Sequence, residues 1–362
     1  MKKTIPTLLA LGLAISLTSL TACHSKQSGE TQTESTAKET TSAETVAEET
    51  AAEEPAASSE PETENSASEP SEDGFPFTLT TYNDMKVTFD KVPETVIAAN
   101  SNTADQLLTM GLGDKITYVC YKNSEINPEF QAEYDTKEVL NEQAATLEQL
   151  LEASPDFVYG RSSAFSEKNG TTHDILTSYG ISSLSSIEGY KLGADVEDVY
   201  QDFYNLGRIF QLEDKAKEIV EGMKEKISQV DEKTAGTEPV RVFVFDALME
   251  DGPYTCGNNF TSQLIRHAGG QNIFEDLDTT WSTVSWETVV ERDPEVIVIN
   301  DYGSTSLEEK IAQLKENPAL ADVSAIKNDR ITSVHLCEVF ASSMTADTIV
   351  KFARAFHPEC FE

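Results

Sequence analysis

Aromatic side chains are missing from the first fifth of this chain: none of its 16 Phe, 11 Tyr and 2 Trp precedes Phe75. A stretch without a single ring cannot seed a packed core, so folding is expected to begin near Phe75. Basic residues are scarce as well, 27 Lys and Arg against 63 Asp and Glu, which gives a formal net charge of −36. That balance repels phosphates and excludes nucleic acid as a partner. After residue 22 no apolar run is long enough to cross a bilayer. Catalytic signatures are lacking too: there is no G-x-S-x-G elbow, no H-E-x-x-H and no phosphate-cradling loop. A non-enzyme is expected, with no cofactor or metal site of its own. The five histidines (His24, His173, His267, His335, His357) show no ligand spacing and read as surface or packing residues.

What is present begins with an address. Met1-Lys2-Lys3 is followed by an apolar, charge-free run from Ile5 to Leu20, too short for a comfortable transmembrane helix. It ends in Leu20-Thr21-Ala22-Cys23, which resembles the bacterial lipobox and implies cleavage before Cys23 and lipidation of its sulfur. Residues 24–74 are Ser, Thr, Ala, Glu and Pro, with 14 acids and 2 lysines. Such a segment cannot offset its ordering entropy and reads as a disordered tether, with a reach of roughly 40 Å as a flexible coil. The expected location is therefore the outer face of the cell membrane, held by a lipid anchor.

From Phe77 onward the pattern is α/β. A hairpin (FTLTTYNDMKVTF) leads into strands at Thr95–Ala99, Ile116–Cys120, Phe157–Tyr159 and Ile181–Leu184, alternating with helices at Asn102–Met110, Leu147–Ala153 and Thr172–Tyr179. Two long helices follow, Val196–Phe210 and Glu213–Val230. In the second, Ala216, Ile219, Val220, Met223, Ile227 and Val230 recur at helical spacing. The alternation then resumes: strand Val240–Phe245, helix Thr261–Ala268, helix Thr288–Arg292, strand Val296–Asn300, helix Leu307–Glu316, strand Ile331–Val334 and helix Ala346–Phe356.

An internal repeat organises this series. Thr146-Leu-Glu-Gln-Leu-Leu-Glu-Ala-Ser-Pro-Asp-Phe-Val aligns without a gap on Ser285-Trp-Glu-Thr-Val-Val-Glu-Arg-Asp-Pro-Glu-Val-Ile, offset by 139 residues throughout. A hydroxyl cap, a short helix, a Pro-acid break and a β-branched strand recur in that order. The expected organisation is a leader at 1–22, a lipidated Cys and acidic tether at 23–74, one lobe at 75–192, bridging helices at 193–236 and a second lobe at 237–362.

Several stretches (VIAANSNTADQLLTMGLGDKI, TLEQLLEASPDFV, AGGQNIFEDL, TTWSTVSWETVVERDPEVIVI, NPALADVSAIKNDRI and the closing FHPECF) together resemble the cobalamin- and ferric-siderophore-binding solute receptors of ABC importers. The resemblance implies two Rossmann-like lobes bridged by a long rigid helix, with the ligand in the cleft between them. It implies a monomeric receptor that takes a small metal chelate (an iron complex, cobalamin or a haem-like ligand) and partners the permease's membrane subunits. Carried over residue by residue, the ligand contacts are Tyr121, Arg161, Tyr254 and Trp281, with Asn100, Ser101, Glu338 and Phe340 added; all are expected at strand ends or in loops. Aromatic faces suit a corrin, a porphyrin or a catecholate, and Arg161 suits a carboxylate or phenolate oxygen. No cluster of basic residues awaits an anionic siderophore, and Arg161 and Cys120 depart from the cobalamin receptor, which tilts the expectation towards an iron complex. Glu148 and Glu287, one per repeat unit, match the family's docking glutamates. The alternative class is a tethered surface module, an adhesin or sensor ectodomain without a transport role. Beyond Cys23, four cysteines (Cys120, Cys256, Cys337, Cys360) leave open two disulfides, free thiols or soft-metal ligation.

Overall fold

Runs of β-branched residues build the two sheets that organise the chain. The computed structural model describes residues 74–81, 84–122 and 124–362; the leader, Cys23 and the tether lie outside them. The first elements are the antiparallel strands β1 (Phe77–Thr80) and β2 (Lys86–Phe89), in register Phe77 opposite Phe89. Their buried side chains alternate, and Phe89 packs edge-on to Phe157 with ring centroids 5.5 Å apart.

The first sheet contains β3 (Val96–Ala98), β4 (Ile116–Cys120), β5 (Glu138–Asn141), β6 (Phe157–Gly160) and β7 (Ser182–Ser185). All neighbours are parallel, in the order β5-β4-β3-β6-β7. Its helices are α1 (Ser101–Thr109), α2 (Pro128–Asp135), α3 (Leu147–Ala153) and α4 (His173–Ser178). The chain leaves through α5 (Val196–Phe210) and α6 (Glu213–Thr234). At 22 residues α6 is about 33 Å long. Ala216, Val220, Met223, Ile227 and Val230 are buried on one face of it, packed against α5 and the last helix, with Ile219 half-buried. Gly207 of α5 is required where α6 crosses, because a Cβ there would stand 2.8 Å from the Cβ of Ala216.

The second sheet is also parallel. Its strands β8 (Val240–Phe245), β11 (Gly270–Asn272), β13 (Val296–Asp301) and β14 (Ile331–His335) lie in the order β11-β8-β13-β14. In β8 and β13 all but one residue each is buried, as expected of strands covered on both faces. Beside this sheet stands an antiparallel ribbon of β9 (Ala247–Met249), β10 (Gly252–Cys256) and β12 (Trp281–Thr283). The remaining helices are α7 (Phe260–His267), α8 (Trp286–Arg292), α9 (Leu307–Lys315), α10 (Ser324–Lys327) and α11 (Thr345–Phe356). The fold is the expected two-lobed α/β architecture. The ribbon and the α2–β5 unit were not anticipated, and the ribbon places Tyr254 and Trp281 in strands. Among the described residues no helix is long and apolar enough to cross a membrane.

Candidate ligand-binding cleft

Parallel α/β sheets bind ligands beyond the carboxyl ends of their strands. Here the ends of both sheets wall one cavity of about 420 Å³. Arg161 enters it just after β6, and Glu188 from the short turn after β7. The second lobe supplies Asn259 at the start of α7, Trp281 from β12 and Phe340 from the segment after β14.

Arg161 is fixed from several sides. Its backbone N–H donates to Asn100 Oδ1 at 2.7 Å, so the residue that ends the first strand sets where the sixth one delivers its side chain. Nη2 donates to Glu188 Oε1 at 2.8 Å, and the guanidinium carbon lies 4.4 Å from the ring centroid of Phe340. Gly189 permits this approach: a Cβ there would meet Arg161 Cα at 2.9 Å. The Glu188 side chain is only 7% exposed, and its Oε2, like Arg161 Nε, has no hydrogen-bond partner among the described residues. Lys191, also on the cavity wall, donates to both oxygens of Asp198 at 2.8 and 2.7 Å. Both cations of the cavity are thus matched by carboxylates. Across from them, Trp281 stacks on Tyr254 with centroids 5.7 Å apart and planes 17° from parallel.

The other expected contacts fall elsewhere. Asn100 caps α1 and positions Arg161, and Ser101 Oγ lies 2.6 Å from Ser124 Oγ. Tyr121 takes a left-handed backbone (φ 47°) after β4 and does not line the cavity. Glu338 is buried with its carboxylate committed: Lys351 Nζ donates to both oxygens at 2.9 and 2.8 Å, and the His335 N–H donates at 2.8 Å. The loop that carries Phe340 is held against α1, where Asn102 and Gln106 donate to the Ala341 carbonyl and Asp105 accepts from the Ser343 N–H. Burial pushes the Asp105 carboxyl above its ordinary range. Arg161, Trp281 and Phe340 therefore come together, with Tyr254 behind Trp281. Glu188, Lys191 and Asn259 were missed, although a strand-end rule applied after β7 would have found the first.

The repeat units are realised alike. Thr146 and Ser285 cap seven-residue helices by accepting from Gln149 and Thr288 N–H, and Glu148 and Glu287 stand exposed in the first turns. The four described cysteines are free thiols, so no disulfide joins them. Burial pushes Cys120 and Cys337 up to about 11 and Cys256 to about 12. Asp195, Glu197 and His267 lie within 4.8 Å of one another at the start of α5, a grouping that linear spacing had hidden. The hydrogen bond to Asp195 raises His267 above its ordinary value. Burial alone would raise Asp195, yet hydrogen bonds from His267 and the Val196 N–H leave it below the usual carboxylate range.

Two parallel-sheet lobes, a connecting pair of helices and a cavity at the facing strand ends define a two-lobed solute-binding protein. The chain belongs to the periplasmic binding protein family, which it matches over residues 96–335, and members of that family are non-enzymatic transport components. It is 22% identical over 292 residues to the uncharacterised ABC transporter substrate-binding lipoprotein YvrC of Bacillus subtilis, covering 80% of this chain and 88% of that one. It is 24% identical to a vitamin B12-binding protein of Vibrio parahaemolyticus over 67% of this chain and 81% of the relative. A periplasmic binding protein from Veillonella parvula has the same fold, with a TM-score of 0.71, 28% identity, and coverage of 78% and 97%.

Proposed function

We propose that this chain is the extracytoplasmic receptor of an ABC importer, anchored through lipid on Cys23, which holds a metal chelate in the cleft and delivers it to the permease. The observation that carries this reading is the cavity itself, lined by Trp281, which Tyr254 backs, and by Arg161 over Phe340. Aromatic faces beside a paired guanidinium suit a ligand with an extended face, such as an iron complex of siderophore type, cobalamin or haem. Because Arg161 and Lys191 are already paired with carboxylates, a chelate of low net charge fits better than a strongly anionic one. The names of the relatives support the same class, since one is an ABC transporter lipoprotein and another binds vitamin B12. An iron complex is the first choice, with cobalamin second and haem third.

Delivery needs a docking point on each lobe. Glu148 and Glu287, at equivalent places in the two repeats, supply a carboxylate each for guanidinium groups on the two membrane subunits. The reading is tested by calorimetric titration of the purified protein with a panel of ferric siderophores, cobalamin and haem. It predicts saturable binding of at least one with a dissociation constant below about 10 μM. Binding of none in that range would overturn it and favour a tethered adhesin or sensor module.

A further inference from the structure

The ion pair on the cavity wall is incomplete. An arginine and a carboxylate that meet without constraint commonly pair through two parallel hydrogen bonds. Arg161 and Glu188 make one, Nη2 to Oε1 at 2.8 Å. Arg161 Nε and Glu188 Oε2 are left without a hydrogen-bond partner among the described residues. Both residues line the cavity, and the Glu188 side chain is more than nine-tenths buried. A buried charged oxygen that lacks a donor destabilises a fold, so folding alone gives no reason to keep it.

The second bond is withheld because both backbones are pinned. The Arg161 N–H donates to Asn100 Oδ1, and Phe340 of the other lobe lies against the guanidinium. Gly189 packs so closely on Arg161 that a Cβ there would stand 2.9 Å from its Cα, and the Ser162 hydroxyl donates to the Gly189 carbonyl. On the other side of Glu188, the Ile187 N–H donates to both oxygens of the buried Asp202, at 3.2 and 3.1 Å. The turn that carries Glu188 is therefore held on each side of it, and the gap in the pair is built in.

What the pair offers is one N–H donor beside one carboxylate oxygen, with no net charge. A ligand carboxylate would meet Arg161 but set charge against Glu188, and an ammonium would meet Glu188 but set charge against Arg161. A carboxamide presents an acceptor and a donor side by side and carries no charge. We infer that Arg161 and Glu188 form a subsite for an amide group at the edge of the chelate, and that Glu188 selects amide-edged over carboxylate-edged ligands. The inference rests on the receptor reading above and extends it from the ligand's overall charge to the group the cleft recognises. An iron complex with amide linkers fits, as does cobalamin with its ring of carboxamides. Haem, edged by two carboxylates, does not.

The test is calorimetric titration of the purified receptor with three pairs of probes: ferrioxamine E and ferric citrate, cobalamin and its monocarboxylic acid, haem diamide and haem. In every pair that binds, the amide-edged member should bind at least about tenfold more tightly than the carboxylate-edged one. Glu188→Gln removes the opposing charge and leaves Arg161 uncompensated. It should weaken the amide-edged member and tighten the carboxylate-edged one, each by about tenfold. Should that variant melt early, the wild-type pairs decide alone. A carboxylate-edged member that binds wild type as tightly as its amide partner would overturn the inference and leave the receptor reading standing. Glu188→Gln shifting both members of a pair in the same direction would make Glu188 a structural prop and overturn it as well. Binding of none of the six probes would remove the receptor reading, and the amide subsite with it.

Discussion

The two repeat units agree on their outer side and disagree where their strands end. On the outside, α3–β6 and α8–β13 share a hydroxyl cap, seven helical residues and a left-handed residue after the helix, Ser154 (φ 49°) and Asp293 (φ 39°). Each also has an acid that accepts from the backbone before the central strand: Asp156 from Thr95 and Glu295 from Arg241. At the cleft the correspondence stops. The first unit ends in Arg161, whose guanidinium enters the cavity. The residue in that place in the second unit is Asn300, whose amide donates to Asp246 Oδ1 at 2.7 Å. Tyr302 donates to the other oxygen of Asp246, and the buried Lys310 ammonium donates to the Asp246 and Asn300 carbonyls. The second lobe seals the end of β13 and reaches the cavity with β12, the start of α7 and the segment after β14 instead. A symmetric exterior suits a two-fold partner, and an asymmetric interior suits a ligand without symmetry.

Substitutions at equivalent positions can break or sharpen this contrast. Phe157→Ala should have the largest effect, about 3–5 kcal/mol of stability by denaturant unfolding, because its fully buried ring packs on Phe89 and Phe210. Val296→Ala, the same place in the second unit, loses fewer buried carbons and should cost about 2 kcal/mol. Equal losses would contradict the larger packing contribution of the Phe157 ring. Asn300→Ala should cost about 1–3 kcal/mol, by stripping a partner from a buried carboxylate, and should leave ligand affinity unchanged. Arg161→Gln combined with Glu188→Gln keeps that pair neutral. It should do the reverse, leaving the melting temperature in place while weakening the ligand about tenfold, or about 1.4 kcal/mol.

The smallest effect is a pH contrast between lobes. Burial against Phe165, between the Ser183 and Ser185 hydroxyls, pushes His173 down to about 4. Its folded value is depressed, so its contribution is complete above the ordinary value of 6.5 and is lost as the pH falls from there towards about 4. His267 is raised by Asp195, so its contribution is complete below 6.5 and is lost as the pH rises through the raised value. Thermal melts across pH 5 to 8 should show His173→Gln flattening the acid side of the profile. His267→Gln should flatten the other side, by about 1 kcal/mol or less. Identical profiles would refute the assignment.

Much of the fold was legible because local and global signals agreed. The strands at Ile116–Cys120 and Val240–Phe245 and the helices at Leu147–Ala153 and Val196–Phe210 have their expected bounds, since β-branched runs and caps mark them. The ribbon was not legible: β10 begins Gly252-Pro253, which reads as a turn, and only pairing with Trp281–Thr283 makes it a strand. The site was legible where chemistry follows a strand directly, as at Arg161. It was obscure where long-range partners decide. Glu338 resembles a ligand contact until Lys351, one helix later, claims its carboxylate, and Glu188 acquires its place only when β7 lies beside β6.

The chain has two tryptophans, and they separate the cleft from the core. Trp286 packs on Phe243 and Phe245, whereas Trp281 faces the cavity. Absorbance-corrected fluorescence titration of Trp286→Phe, with Trp281 as sole reporter, tests the central claim most directly. Titrated with the ferric siderophores, cobalamin and haem, it should show saturable quenching by at least one, with a dissociation constant below about 10 μM. Trp281→Phe should lose that signal. Quenching by none of the ligands, or quenching confined to Trp286, would contradict a chelate held in the cleft.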